Sequence, residues 1–354
     1  MTASTDKPAG SLAIPSLDGW RAIAIIIVFL SHAGLGNLVP GGFGVTVFFF
    51  LSGLLITSLM IVERERSGTL SIGKFYLRRL LRLSPPLFIT LAIVYLLTHL
   101  GYFRGDATWR GLGAQAFYFA NYYEIFFDAV HMTPAGTGIF WSLAVEEHYY
   151  LIFPWMFLCL AVRRNQRRLV EALGLVCVAI LAWRCYLVFM CHAPEYRTYY
   201  ASDTRIDSII FGAILALVKN PSTDEAPISA NHMRIALSLS ACLLLFSLLY
   251  RSPAFRETFR YSVQGVALAP LFYYSIRVPR AKLFAALNSR PMMYVGRCSY
   301  SMYLIHFVLI ENLEEITRYS LVNMAFCFFL SILYASVIDR FIDRRFRVLR
   351  AKFK

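Results

Sequence analysis

The first segment whose residue types could do chemistry reads SLDGWRAIAIIIVFLSHAGLG and starts at Ser16. Arg21 opens an almost unbroken apolar run, and His32 follows eleven residues later. On an α-helix this spacing returns two side chains to nearly one face, about 16 Å apart along the axis. Histidine can exchange a proton near neutral pH, and arginine can hold an anion. The alternatives are a snorkelling anchor for Arg21 and an interhelical hydrogen bond for His32.

Two further apolar segments carry ionisable side chains. FWSLAVEEHYYLIFPW contains the adjacent carboxylates Glu146 and Glu147, and SYSMYLIHF contains His306. Helix rise places Glu146 and His306 near the predicted membrane depth of His32. Ionisable groups at that depth usually face a cavity or a partner, so the three side chains predict a polar cavity. The alternatives are a hydrogen-bond network between spans for Glu146 and a satisfied core histidine for His306.

A basic segment, KFYLRRLLRLSPP, precedes one of the apolar runs. Arg79 and Arg82 are three residues apart and share a helix face. Arginine forks suit phosphate oxygens, which favours phosphate recognition, whereas the alternative is a solvated positive-inside cluster. Pro85 and Pro86 then predict a break or a bend in the helix.

These side chains lie in a chain whose composition predicts a membrane protein. Its 354 residues are 58% hydrophobic and 16% charged, whereas soluble domains are about 25% charged. Apolar runs recur along the whole length and predict an all-α polytopic bundle of about ten transmembrane spans. The predicted spans are Trp20–Leu38, Phe43–Val62, Pro85–Leu100, Ile139–Val162, Leu169–Met190, Ile206–Val218, Ile235–Tyr250, Ser262–Ile276, Met292–Leu313 and Leu321–Ile338.

The positive charges predict how these spans are oriented. The formal net charge of +14 is concentrated in a few basic runs, such as RRNQRR at Arg163–Arg168 and the C-terminal tail. The positive-inside rule places these runs in the cytoplasm if Gly111–Val130 does not cross the membrane. That segment is therefore predicted to be interfacial or re-entrant on the outer side, with both termini cytoplasmic. We expect a cytoplasmic segment 1–19, a transmembrane domain 20–339 and a basic cytoplasmic tail 340–354.

Together these motifs resemble the acyltransferase 3 family of integral membrane O-acyltransferases, from Leu17 to about Asp339. The resemblance rests on the arginine and histidine of the first span, GGFGVTVFFFLSGLLI, YLRRLLRLSP, WSLAVEEHYYLIFP and SYSMYLIHF, in the family's order. TRIDSIIFGAILA also fits and would place Arg205 and Asp207 at the outer mouth of the sixth span. His148 stands where the family commonly has glutamine. No appended esterase domain is expected after the basic tail.

The resemblance implies transfer of an acyl group, usually acetyl, from cytoplasmic acyl-CoA to a hydroxyl of a glycan, glycolipid or small molecule. His32 would be the base or a transiently acylated group, and Glu146 would orient it. The other expected site residues are Arg21, Arg79 and Arg82 for the acyl-CoA donor, and Ser142, Arg205, Asp207 and His306 for the acceptor side. We expect a multi-pass protein of the inner (plasma) membrane in contact with lipid, with no metal and no nucleic acid.

A proton-coupled transporter or flippase is the competing function, because buried histidine and glutamate also make proton relays. A non-catalytic partner of a glycan polymerase is a third possibility. CoA release without a transmembrane gradient would distinguish an enzyme from a transporter.

Overall fold

The computed structural model describes residues 14–127, 132–161, 166–313 and 321–353. These residues form helices and no β-strand, as the sequence predicts. The α-helices in chain order are α1 (Leu17–Leu30), α2 (Gly41–Ser67), α3 (Ile72–His99), α4 (Trp109–Ala116), α5 (Ala120–Phe127), α6 (Trp141–Leu160), α7 (Arg167–Phe189), α8 (Glu195–Tyr200), α9 (Ser202–Arg205), α10 (Asp207–Val218), α11 (Ala230–Leu249), α12 (Pro253–Glu257), α13 (Arg260–Arg277), α14 (Lys282–Ala285), α15 (Arg290–Leu313), α16 (Leu321–Ile338) and α17 (Arg344–Ala351).

A helix coincides with every predicted span, and several of these helices can cross a membrane. Among the described residues, six helical segments are long and apolar enough. They are Leu17–Leu35, Gly41–Ser67, Ile72–His99, Arg167–Phe189, Ala230–Leu249 and Leu321–Ala351. The shorter α10 is apolar but has 12 residues. The chain is thus a multi-pass helical membrane protein, while the total of ten spans and the cytoplasmic termini stay predictions.

Close helix crossings hold the central helices together. A Cβ atom on Gly53 of α2 would lie 1.9 Å from the carbonyl oxygen of Ile209 in α10. A Cβ atom on Gly296 of α15 would lie 1.8 Å from the carbonyl oxygen of Asp18 in α1. Small residues allow such backbone contact, which is how helices pack without a hydrophobic driving force in lipid. A Cβ atom on Gly44 of α2 would likewise lie 2.7 Å from the carbonyl oxygen of Ala24 in α1, so α1 contacts both α2 and α15 beside the candidate site.

The first span departs from a regular helix just where His32 lies. The α-helix ends at Leu30 and continues as a π-helical turn, Ser31–Leu35. Gly34 within this turn has φ of +97°, a conformation that glycine adopts without strain. The 100° spacing used to place Arg21 and His32 on one face therefore does not hold over the last residues. Turns of this type are frequent at functional sites.

Of the break or bend predicted at Pro85 and Pro86, a break is absent, because α3 runs through both prolines from Ile72 to His99. Proline removes one backbone donor and leaves a carbonyl without its usual partner. In membrane helices, neighbouring side chains can bind backbone groups near a proline. Pro85 and Pro86 free the carbonyls of Leu81 and Arg82, four residues earlier, and the Tyr300 hydroxyl donates to the next carbonyl, that of Leu83, at 2.9 Å.

The segment predicted not to cross, Gly111–Val130, forms the two short helices α4 and α5. Each has eight residues, which is about 12 Å of helix and too short for a hydrocarbon core of about 30 Å. Gln115 donates to the Thr137 hydroxyl at 2.8 Å, which fixes α4 beside the start of α6. This geometry agrees with an interfacial or re-entrant element. Its last residues, 128–130, lie outside the described residues.

The C-terminal tail is not an isolated basic segment. A π-helical turn, Asp339–Asp343, links α16 to α17, and α17 packs along α3. Arg78 of α3 donates to the carbonyl of Phe353 at 3.0 Å. The tail is therefore docked on the helix that carries Arg79 and Arg82.

Candidate functional site

Helices α1, α2, α3, α6 and α15 surround one cavity that is lined by most of the predicted site. Five of the nine predicted residues line this cavity, namely Arg21, Arg79, Arg82, Ser142 and Glu146. They come from three different helices, α1, α3 and α6. The sequence therefore predicted which distant segments meet, although not all of the contacts between them.

Guanidinium groups dominate one end of the cavity, which we call the arginine end (Arg21, Arg79 and Arg82). Arg21 pairs with Asp18 at 2.9 Å. The Arg79 guanidinium lies 3.6 Å from the centroid of the Tyr150 ring, and its Nε atom is buried without a hydrogen bond. Within the described part of the chain, neither Arg79 nor Arg82 has a carboxylate at ion-pair distance. An arginine held by an aromatic face keeps its N–H donors available for an anion.

Glu146 has different partners from those expected. The Ser52 hydroxyl donates to its Oε1 at 2.8 Å, and the Tyr150 hydroxyl donates to its Oε2 at 3.4 Å. The expected contact with His32 is wrong, because Glu146 faces α2 whereas His32 lies against α15. Glu146 is thus part of the cavity wall near the arginine end.

His32 instead pairs with His306, and we call these two residues the histidine pair. His32 Nδ1 lies 3.0 Å from His306 Nε2, and His306 Nδ1 lies 2.8 Å from the Tyr303 carbonyl oxygen. A carbonyl only accepts, so His306 Nδ1 carries the proton and its Nε2 accepts in the neutral ring. His32 Nδ1 must then donate, which leaves the lone pair of the neutral His32 on Nε2. The ring of Phe307 stacks on His32 with 4.2 Å between centroids.

Tyr303 connects the cavity to the histidine pair. Its side chain lines the cavity, and its hydroxyl lies 2.7 Å from the Ser142 hydroxyl. Its carbonyl holds His306, while neither histidine itself lines the cavity. A group moving from the arginine end toward His32 would therefore pass the Tyr303 and Ser142 hydroxyls.

Arg205 and Asp207 lie where α9 ends and α10, the predicted sixth span, begins. Both are fully buried, and neither lines the cavity. Asp207 pairs with the buried Arg184 at 2.8 Å, and the Arg205 guanidinium lies 3.8 Å from the centroid of the Tyr261 ring. Paired charges avoid the penalty of an isolated ion at this depth, which accounts for the burial of Asp207. A role of either residue in acceptor binding stays a prediction.

Some members of the site could have been found from helical spacing. Tyr150 follows Glu146 by four residues and Tyr303 precedes His306 by three, spacings that share a helix face. Ser52 was part of the second-span motif, but nothing in the sequence paired it with Glu146. The π-helical turn that turns His32 toward His306 had no sequence signal beyond the nearby glycines.

A family model described as an acyltransferase domain matches residues 14–339. The chain belongs to this acyltransferase family. Its O-acetyltransferase relatives include OatA of Staphylococcus aureus (strain NCTC 8325 / PS 47), 31% identical over 315 residues, which are 84% of this chain and 50% of the relative. They also include the peptidoglycan O-acetyltransferase OatA of Listeria monocytogenes serovar 1/2a (strain ATCC BAA-679 / EGD-e). It is 30% identical over 318 residues, which are 84% of this chain and 49% of the relative.

The chain spans about half the length of these relatives. No solved structure matches it. The family match covers all of the helices that carry the arginine end and the histidine pair. It therefore supports an acyl-transfer chemistry for the site, and the assignment of residues to steps rests on the geometry above.

Proposed function

We propose that this acyltransferase is an O-acetyltransferase of the plasma membrane that moves an acetyl group from acetyl-CoA to a hydroxyl of a cell-envelope glycan. The observation that carries the proposal is a cavity lined by Arg21, Arg79 and Arg82 and also by Tyr303, whose backbone carbonyl holds the histidine pair. A phosphate-rich thioester needs cations at one end and a base at its reacting end. The names of the O-acetyltransferase relatives support acetyl as the group, and one of them supports peptidoglycan as the acceptor.

The arginine end would hold the nucleotide part of the donor at the predicted cytoplasmic face. Bidentate guanidinium contacts are strong and geometrically selective for phosphate. Arg82 and Arg79 have no competing ion pair in the described residues, so a bound phosphate would not have to displace a carboxylate. The acyl end would extend between α2, α6 and α15 toward Tyr303.

The histidine pair would supply the base. The acceptor hydroxyl gives its proton to His32 Nε2 while its oxygen attacks the thioester carbonyl carbon, forming a tetrahedral intermediate. Collapse of that intermediate breaks the carbon–sulfur bond, and the sulfur takes the proton back from His32. The products are an ester and the free thiol of CoA. Hydroxyls of Ser142 and Tyr303 are candidates to donate hydrogen bonds to the oxyanion.

His306 would take the orienting role that the sequence assigned to Glu146. By accepting from His32 Nδ1–H, it fixes the tautomer that leaves Nε2 free and stabilises the imidazolium after proton transfer. This is the role of the carboxylate in a catalytic triad, here filled by a second neutral imidazole. A neutral partner avoids placing a second charge in the membrane interior.

The test uses the purified full-length protein in lipid nanodiscs with no transmembrane gradient. Acetyl-CoA is supplied with soluble peptidoglycan fragments, and CoA thiol release is followed together with acetyl incorporation into the glycan. We expect release that depends on the acceptor and is lost in His32→Ala. Absence of acetyl transfer to any glycan acceptor, while the protein binds and moves a solute across vesicles, would favour a transporter instead.

A further inference from the structure

We infer that the C-terminal helix α17 completes the phosphate-binding site at the arginine end, with Arg350 as its fourth arginine and a phosphate ester as the ligand. The inference rests on the proposed function for one source of that ligand, the nucleotide end of acetyl-CoA. An anionic lipid headgroup has the same chemistry and is the other source.

Contacts of the tail place Arg350 near the cavity arginines. The Arg78 bond to the Phe353 carbonyl fixes the end of α17 on α3, and Arg347 pairs with Asp339 at 3.1 Å. Arg350 is half-buried between these two anchors and lies within electrostatic range of Arg82. Helix α17 therefore presents Arg350 to α3 and leaves other arginines in solvent.

The charges that converge here lack ion-pair partners. Among the described residues, no carboxylate lies at ion-pair distance from Arg79, Arg82 or Arg350, and Asp343 acts on Arg350 only from farther away. The Nε atoms of Arg79 and Arg350 are buried without a hydrogen bond. Like charges repel more strongly away from bulk water, and buried donors without a partner are unfavourable. A bound polyanion removes both penalties at once.

The donor fits this arrangement better than a lipid headgroup does. The nucleotide end of CoA carries several phosphate groups, which matches several guanidiniums spread over α1, α3 and α17. A phospholipid usually offers a single phosphate. Because Arg21, Arg79 and Arg82 already line the cavity, Arg350 would extend the same site outward from it.

The experiment compares Arg350→Ala with Arg345→Ala in the full-length protein. Arg345 is exposed on the same helix, so its variant has the same loss of charge and is the matched control. Both proteins are placed in nanodiscs of phosphatidylcholine. Binding is measured for acetyl-CoA and for S-acetylpantetheine, which lacks the nucleotide phosphates. A second set of nanodiscs contains phosphatidylglycerol, and lipid enrichment around each variant is measured by native mass spectrometry.

For a donor site, Arg350→Ala should weaken acetyl-CoA binding about tenfold or more. The same variant should leave S-acetylpantetheine binding unchanged, and Arg345→Ala should resemble the wild type. Loss of phosphatidylglycerol enrichment in Arg350→Ala alone, with acetyl-CoA binding intact, would identify the lipid as the source. If both variants behave alike toward both ligands, the inference is wrong. A wild type that binds no acetyl-CoA would contradict the proposed function, and the lipid arm would then decide the inference separately.

Discussion

The arginine end and the histidine pair both place polar side chains inside a membrane bundle, but these side chains are stabilised in different ways. At the arginine end, permanent charges surround a cavity: Arg21 pairs with Asp18, and Arg79 lies over the Tyr150 ring. At the histidine pair, two neutral rings hydrogen-bond to each other and to a backbone carbonyl, and Phe307 covers one face. The charged arginines lie where a bound anion could replace the water that they lose on burial. Where a proton must move, the groups are neutral until the reaction begins.

We use the term histidine end for the histidine pair together with the turn that precedes α6, whose Ile139 carbonyl accepts from the Tyr303 hydroxyl. Glu124 of α5 also lies at this end. Its carboxyl lies 3.1 Å from the position a Cβ atom on Gly138 would take, beside the turn that precedes α6. Burial raises the pKa of Glu124 to about 8. The histidine end of the bundle thus also keeps a carboxyl group neutral at physiological pH.

The largest expected effect is that of His32→Ala, which tests whether the histidine pair is the catalytic part of the site. If His32 is the base, turnover should fall by roughly 10²–10⁴, while acetyl-CoA affinity stays unchanged because a base acts on the transition state. Turnover and affinity are measured on the same purified sample. His232→Ala, at an exposed position of α11, is the matched control. Substantial turnover in folded His32→Ala would show that His32 is a packing residue and not the base.

Arg79→Ala and Arg82→Ala should give the opposite pattern. Loss of a charged contact to phosphate weakens binding by roughly 1–3 kcal/mol, so acetyl-CoA affinity should fall about tenfold to a hundredfold. Turnover at saturating donor should largely remain. Lysine should rescue poorly, since it lacks the planar fork. Arg66→Ala removes an exposed arginine of α2 and is the control. If all three variants had equal effects on affinity, Arg79 and Arg82 would serve only as topology signals.

Replacing His306 tests which residue orients His32. His306→Ala should lower kcat about tenfold, within the range that orientation of a catalytic group contributes, and leave KM for acetyl-CoA unchanged. His306→Gln should recover part of the loss, because its amide oxygen can accept from His32 Nδ1. Glu146→Gln is the comparison, since it keeps the shape of the cavity wall. A larger loss of kcat in Glu146→Gln than in His306→Ala would restore the sequence-based assignment.

The sequence predicted the helices and the gathering of distant motifs better than it predicted contacts. Depth arithmetic predicted one polar cavity shared by His32, Glu146 and His306, because helix rise along the spans is nearly constant. Glu146 does line the cavity, whereas the two histidines pair beside it. Arg21, Arg79 and Arg82 line the same cavity as Glu146, a meeting that depth alone did not predict. The pairing of His32 with His306 depended on a local π-helical turn, whose backbone geometry has no strong sequence signature. The direction in which a side chain points is set by helix packing. Depth in the membrane alone therefore could not show whether His306 or Glu146 is the partner of His32.

The smallest expected effect concerns Glu124 and the neutrality of the histidine end. The pKa of this carboxyl is raised in the fold, so the folded state binds its proton more tightly than the unfolded chain does. Its contribution to stability is therefore lost progressively as pH rises from about 4.5 to about 8. Glu124→Gln keeps a neutral side chain and removes this dependence. The melting temperature of the variant minus that of the wild type should increase by about 2–5 °C between the two ends of this range.

The measurement is thermal unfolding of the detergent-solubilised full chain at both pH values, followed by intrinsic fluorescence. Using the difference between variant and wild type cancels every other group that titrates in the same range. Glu65→Gln, at a solvent-exposed position of α2, is the matched control. A difference for Glu124→Gln that stays constant between the two pH values would mean that the carboxyl is solvated and charged in the fold. The contrast between a charged and a neutral end would then be confined to the histidine pair.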